Sequence, residues 1–355
     1  MESTNFDTSV MVIGVIPSYK PDEKLPQTVK GTLAACPDLH RLIVVDDGGG
    51  AEFTKVFDEV AALDERVEIL HLAVNSGMGG AIKAGLQYGL YRYPEAAGVV
   101  AFDADGQHHP EDIEHVIAVF KQDPSKFVIG IREYHDPSLS IPLRSRFGNR
   151  VTEVVFRLVT GFHLPDTQSG LRCYPRRLAE KCTQILRSRY EFQLEALITA
   201  IKMADCVQIP IRTIYEENNR RSHFNPIVDS LKIYAVFLRV IKPALICSMM
   251  DYILFAFVYL ITGNILHGFI VSKVACNMVR FVPKMRGAVL AHRSVLREVL
   301  SFTAVAVALF LGAYYGVWFM KESMGVSPLI SKIIVESILF VCCFTFRRLC
   351  GCARK

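Results

Sequence analysis

No CxxC pair occurs among the ten cysteines of this 355-residue chain, and no histidine cluster lies beside any of them. That argues against a zinc site and leaves the cysteines as small apolar residues with reduced thiols. The opening stretch, MESTNFDTSV, holds no Lys or Arg. It does not read as a signal peptide, so the N-terminus is expected in the cytoplasm. The tail CARK puts Arg354 where a prenylation box has an aliphatic residue, so lipidation is not expected. Neither GxGxxG after the first apolar run nor GxxxxGK[ST] is present, which argues against NAD enzymes and ordinary ATPases. An excess of one sign of charge is lacking too: 40 Lys+Arg against 35 Asp+Glu leaves +5, which gives no reason to expect nucleic-acid binding. No repeat of fixed period is visible.

What the chain does have is apolar residues, 51% of the total, and a mean hydropathy of +0.28. They are unevenly spread. Up to about residue 225, short β-branched runs alternate with helical patterns. The runs are Val10–Ile16, Arg41–Asp47, Val67–Leu72, Gly98–Gly106 and Phe127–Arg132, the last closing the series. Such alternation predicts a parallel, doubly wound α/β sheet with both faces covered. Beyond residue 243 the pattern changes. Residues 244–262 carry one charge, Asp251, and residues 299–320 carry none. Twenty-two helical residues span ~33 Å, enough for a bilayer core of ~30 Å. Residues 265–282 and 328–346 are weaker candidates with two charges each. Basic residues crowd 283–298 and the C-terminal tail, and the opposite connections have no net charge. The positive-inside rule then predicts four spans with both termini and the α/β domain in the cytoplasm. Arg144–Gly161 and Pro226–Lys242 read as basic amphipathic helices suited to a membrane surface.

Charges inside predicted spans call for partners. Judged by depth, Asp251 should meet Arg280, and Lys273 should meet Glu336, forming a polar seam that could pass a lipid phosphate or sugar.

The strongest chemical signal is Asp103–Gln107, DADGQ, at the end of an apolar run. Two acids one residue apart on a strand end can both reach one hard cation, and ligands of open parallel sheets bind beyond the carboxyl ends of strands. A second acidic strand end, VVDDGGG, carries Asp46 and Asp47.

Together, IPSYKPDE, VVDDGGG, NSGMGGAIKAG, DADGQHHPED, IGIR, SRFGN, DTQSGLRCY and YEFQLE resemble family 2 glycosyltransferases of the GT-A fold. Within that family they are similar to the dolichol-phosphate mannosyltransferase and undecaprenyl-phosphate glycosyltransferase branch. The remainder resembles the GtrA-like membrane domain. The resemblance implies three parts: a GT-A domain over 1–225, Rossmann-like with a mostly parallel sheet; a juxtamembrane amphipathic helix over 226–243; and an all-α bundle of four transmembrane helices over 244–355. It implies a multi-pass protein of the cytoplasmic membrane that moves a hexose from a UDP- or GDP-sugar to a polyprenyl phosphate. A homo-oligomer is compatible with it.

The resemblance also distributes roles. Pro17 and Tyr19 pack on the nucleotide base, Asp46 reads base or ribose, and Ala104 lies close to the nucleotide. Asp103, Asp105 and Gln107 hold Mg²⁺ or Mn²⁺. Arg132 faces the phosphates and Arg146 the lipid phosphate, and with Asp105 they carry the catalysis. Asp166, Ser169 and Arg172 form the acceptor loop. Three positions depart from the family pattern. Tyr19-Lys20-Pro21 replaces YNE, with Asp22 or Glu23 as substitutes. Ser222-His223 replaces a serine–lysine pair, leaving its acceptor contact to His223, Arg220 or Arg221. Met78 stands where a lysine is common. Glu191 and Glu195 lie near where related enzymes keep a base, and a purely structural role for them is equally open. A GtrA-like transport protein with a regulatory head is the alternative. A processive synthase is disfavoured, because the single tryptophan, Trp318, is in a predicted span and no QxxRW motif exists.

Overall fold

The computed structural model describes residues 10–132, 150, 152–157, 160–212, 228–290 and 294–351. Arg146 and His223 lie outside them, as does half of the first predicted amphipathic helix. The chain forms two compact units, Met1–Phe237 and Leu238–Lys355.

In the first unit, β1 (Val12–Ser18), β2 (Arg41–Asp46), β3 (Val67–His71), β4 (Gly98–Ala101) and β5 (Phe127–Arg132) are the apolar runs of the sequence. β1, β2, β4 and β5 are buried along nearly their whole length rather than at alternate positions. Burial of both faces is the mark of a parallel sheet sandwiched by helices. Those helices are α1 (Lys24–Ala35), α2 (Thr54–Ala61), α3 (Met78–Arg92), α4 (Pro110–Gln122), α5 (Arg176–Thr183) and α6 (Glu191–Met203). α4 shows the local logic: Pro110 occupies its first turn and Glu111 and Asp112 complement the positive end of its dipole.

The series does not close at Arg132. Two more strands follow, β6 (Arg172–Pro175) and β7 (Cys206–Ile211), completing a seven-stranded sheet of order β3-β2-β1-β4-β6-β5-β7. β6 runs antiparallel between β4 and β5, and the other pairings are parallel. The sheet is therefore mostly parallel and mixed. β6 escapes pattern recognition because it is short and opens on an arginine. β7 contains Pro210, which a strand tolerates at a sheet edge, where β7 lies. β1 pairs with β2 on one side and β4 on the other, so the strand order reverses there and leaves a crevice at the carboxyl ends.

Packing at β4 is tight. A Cβ on Gly98 would stand 2.2 Å from the buried Phe120 ring and 2.6 Å from the Tyr174 carbonyl oxygen. Gly98→Ala is expected to cost roughly 1–3 kcal/mol through overpacking. It should lower the Tm of the protein. Gly312→Ala, where the new atom would meet only Leu339 at 3.5 Å, should not. Equal Tm values for the two variants would contradict this packing.

The second unit is helical. Its elements are α7 (Val228–Thr262), whose first turns belong to the first unit, α8 (Ile265–Leu290), α9 (Val295–Met324) and α10 (Pro328–Gly351). Gly263, at φ 66°, reverses the chain after α7, and Asn264 Oδ1 accepts the Leu266 amide to start α8. Four spans were expected. Among the described residues two helices are long and apolar enough to cross a membrane, Leu245–Thr262 and Val295–Met324. Both leave most of their apolar surface uncovered, Leu260 being 72% exposed and Leu300 62%. α8 offers a shorter apolar stretch, Ile265–Val279.

The interior of this unit combines an aromatic core with charge. Phe255, Phe269, Val317 and Val335 are buried together. Against them lies Lys332, fully enclosed, its ammonium 4.7 Å from the Phe255 ring centre and 4.5 Å from that of Phe269. Lys332 Nζ donates to Asp251 Oδ2 and Glu336 Oε1, both at 2.7 Å. Lys273 Nζ donates to the same two oxygens at 2.9 and 2.7 Å. The expected Lys273–Glu336 contact is therefore present. Asp251 pairs with Lys273 and Lys332, and the Arg280 side chain lies outside what the structure describes.

Candidate active site

Three neighbouring strands deliver the polar residues to one crevice. β1 ends at Ser18, with Pro17 in the strand and Tyr19 just beyond it. β2 ends at Asp46, in register with Ser18. β4 runs into Asp103, Ala104 and Asp105. The half-buried Tyr19 is followed by Lys20 at φ 52°, a left-handed conformation for a residue with a side chain. Such strain is held in place by its surroundings and clusters at functional sites. Lys20 Nζ lies 5.5 Å from the Tyr19 ring centre.

The two aspartates after β2 organise the loops around them. Asp46 is buried; its Oδ1 accepts the Gly49 amide at 3.0 Å and its Oδ2 meets His71 Nδ1 at 2.9 Å. Each carboxylate oxygen keeps a second lone pair for a ligand hydroxyl or N–H. Asp47 Oδ1 accepts the Ser76 amide and so pins the glycine-rich turn before α3. Burial pushes the Asp47 carboxyl above its ordinary range. His71 was not anticipated, although its place at the end of β3, beside β2, puts it at the same crevice.

Asp105 Oδ1 accepts the Gln107 amide at 3.0 Å, closing the turn after β4. The surrounding protein, and next the charge of Asp103, push the Asp105 carboxyl up from its ordinary range. Two carboxylates close enough for the charge of one to bear on the other form a donor set suited to a divalent cation. Among the described residues no group of three or more His, Cys, Asp or Glu surrounds a common point. A pair of this kind suits an ion that takes its remaining ligands from phosphate oxygens and water. His108 is buried behind the pair, its Nε2 3.8 Å from Asp103 Oδ2.

The other expected site residues form a buried framework. Arg132 ends β5 and grips Asp166, Nε to Oδ2 at 2.7 Å and Nη2 to Oδ1 at 3.0 Å. Asp166 is fully buried and also accepts the Gln168 amide. Burial pushes its carboxyl up, but the Arg132 charge and these hydrogen bonds outweigh that and hold it below the ordinary range. Arg132, expected at the donor phosphates, and Asp166, expected at the acceptor, are thus partners of each other. Arg172, also expected at the acceptor, is fully enclosed. All three of its nitrogens donate to main-chain carbonyls: Nε to Ser169 at 2.9 Å, Nη1 to Gln193 at 2.7 Å and Nη2 to Thr167 at 3.2 Å. From there it cannot touch an acceptor. Ser169 is buried beside it.

Residues 15–183 match the profile described as Glycosyl transferase family 2. The UDP-N-acetylglucosamine--dolichyl-phosphate N-acetylglucosaminyltransferase of Methanococcus voltae is 32% identical over 218 residues, 57% of this chain and 85% of that protein. The chain belongs to glycosyltransferase family 2. The polyprenol monophosphomannose synthase of Mycolicibacterium smegmatis is 30% identical to this transferase over 202 residues, 56% of the chain and 75% of the relative. Among solved structures, the glucosyl-3-phosphoglycerate synthase of Mycobacterium tuberculosis, in complex with Mn²⁺ and UDP, superposes with a TM-score of 0.45 at 15% identity, covering 65% of this chain and 80% of that one.

Proposed function

We propose that this glycosyltransferase moves a hexose from a UDP- or GDP-sugar to a polyprenyl phosphate at the cytoplasmic face of a membrane, giving a lipid-linked monosaccharide. The observation that carries the proposal is the Asp103–Asp105 pair on a strand end at the reversal of strand order, the place where open α/β sheets bind ligands. The acceptor class is favoured by the relatives, which are named for dolichyl, polyprenol and, in Micrococcus luteus, undecaprenyl phosphate. The membrane reading rests on the uncovered apolar faces of Leu245–Thr262 and Val295–Met324. A four-span, GtrA-like unit over 244–355, preceded by an interfacial helix over 226–243, accommodates them, with a GT-A catalytic domain over 1–225.

Asp103 and Asp105, with the Gln107 side chain, would hold Mg²⁺ or Mn²⁺, whose charge would stabilise the departing nucleotide diphosphate. Tyr19 and Pro17 would pack on the base, with Ala104 close to the nucleotide, and the free lone pairs of Asp46 would accept from base or ribose. Arg132, oriented by Asp166 and still partly exposed, would turn its outer edge to phosphate. A phosphate acceptor is already ionised at neutral pH, so the attacking oxygen needs no general base, unlike a sugar hydroxyl. Direct attack on the anomeric carbon inverts it. Arg146, Ser169 and His223 remain the acceptor assignments carried by the sequence motifs.

The test is direct. Membranes containing the protein are supplied with Mg²⁺, undecaprenyl phosphate and, in turn, radiolabelled UDP-glucose, UDP-galactose, UDP-GlcNAc and GDP-mannose, then extracted with organic solvent. Label is expected in the lipid phase with one donor. Label confined to the aqueous phase with all four would reject the proposal.

A further inference from the structure

The segment 166–170 lies between β5 and β6 and has neither helical nor strand bonding, yet Asp166, Thr167, Ser169 and Gly170 are all buried. Without a hydrogen-bond ladder, its shape depends on side chains. Two arginines from the flanking strands provide it. Arg132 closes on Asp166 at one end. Arg172 takes the carbonyls of Thr167 and Ser169 at the other, and its third bond crosses to Gln193 in the first turn of α6. Only a guanidinium presents donors in a fixed planar fork able to meet three carbonyls at once.

Between these clamps is Gly170. A Cβ there would stand 2.2 Å from Asp103 Oδ2, 2.6 Å from its Cγ and 2.8 Å from Oδ1. The Asp103 carboxylate is therefore packed flat on the main chain of the segment. Among the described residues no salt bridge to Arg172 occurs; its three hydrogen bonds go to carbonyl oxygens. Burying a cation in that way is costly, so the arrangement is better explained by the geometry it imposes than by stability.

We propose that Arg172 is a positioning residue for Asp103. By fixing the 166–170 wall against α6, it sets the direction in which the Asp103 carboxylate meets a divalent cation. This rests on the reading that Asp103 holds that cation.

The experiment measures Mn²⁺ binding to the full-length, detergent-solubilised protein in the presence of UDP or GDP, from the free-ion electron paramagnetic resonance signal, together with Tm. Arg172→Lys keeps the charge but cannot span three carbonyls. Gly170→Ala leaves both clamps intact and disturbs only the contact with Asp103. Both are expected to weaken Mn²⁺ binding by ~10- to 100-fold, the usual effect of losing a group that orients a metal ligand. A partly unfolded preparation would lower the number of sites without changing their affinity, so the two effects separate. Wild-type affinity in folded Arg172→Lys overturns the proposal. If that variant does not fold, wild-type affinity in Gly170→Ala overturns it instead. Absence of Mn²⁺ binding by the unaltered protein would refute the cation reading itself, and the proposal with it.

Discussion

Asp105→Asn is expected to reduce sugar transfer by a factor on the order of 10²–10³ while leaving the protein folded, the scale of losing one preorganised electrostatic contact to developing charge. The physical basis is the pairing at the end of β4. The charge of Asp103 raises the cost of ionising Asp105, and among the described residues no group of three or more His, Cys, Asp or Glu gathers around them. A site so poor in protein ligands depends heavily on each one. In the absence of metal, replacing one carboxylate by an amide removes a repulsion and keeps an oxygen for the Gln107 amide, so Tm should not fall. Transfer rates in Mg²⁺ and in EDTA, measured for both proteins, check the assignment. Equal rates for the unaltered enzyme in the two conditions would show that no divalent cation takes part.

Lys332→Met is expected to destabilise the helical unit by about 3–5 kcal/mol, the cost of leaving a buried counter-charge unmatched. Lys332 is fully enclosed and bridges Asp251 and Glu336 at 2.7 Å, so its loss strands two carboxylates on a single remaining lysine. Lys273 makes the same two bonds, but its side chain is 23% exposed. Lys273→Met should therefore cost less. Combining Lys332→Met with Asp251→Asn should recover part of the loss, because the stranded charge is removed with its partner. Thermal unfolding of the four proteins in one detergent gives the ranking. A double variant no more stable than Lys332→Met would mean that the lysine acts through its contacts with Phe255 and Phe269 rather than through charge.

Parallel strands covered on both faces appear in sequence as unbroken apolar runs, and β1 to β5 were legible for that reason. β6 was not, since a four-residue strand beginning with Arg172 looks like a loop until the arginine is seen to be enclosed. The same residue shows why roles are harder to read than elements. The motif around it placed Arg172 in the site, but nothing in its spacing distinguishes a guanidinium that faces a ligand from one that faces three carbonyls. Asp103 and Asp105 stood out as candidates in the sequence because a strand end fixes where neighbouring side chains emerge. Gly170, against which Asp103 rests, is distant in sequence and has no side chain to announce the contact. In the helical unit, depth along a helix was enough to pair Lys273 with Glu336. It did not show that Asp251 bonds Lys273 and Lys332, because depth says nothing about which helix face a side chain occupies, and a lysine is long enough to reach across.

The charge quartet also bears on how such a chain is synthesised. Asp251 emerges first, on α7, and Lys273, its counter-ion, follows on the next helix of the same hairpin. α9 adds no member. Lys332 and Glu336 then arrive together, one turn apart on α10 and already bonded to each other. Once the first hairpin is complete, each later segment brings the quartet no net charge. A nascent chain handed to a bilayer in this order would therefore never have to hold an unmatched quartet charge there after α8 is in place.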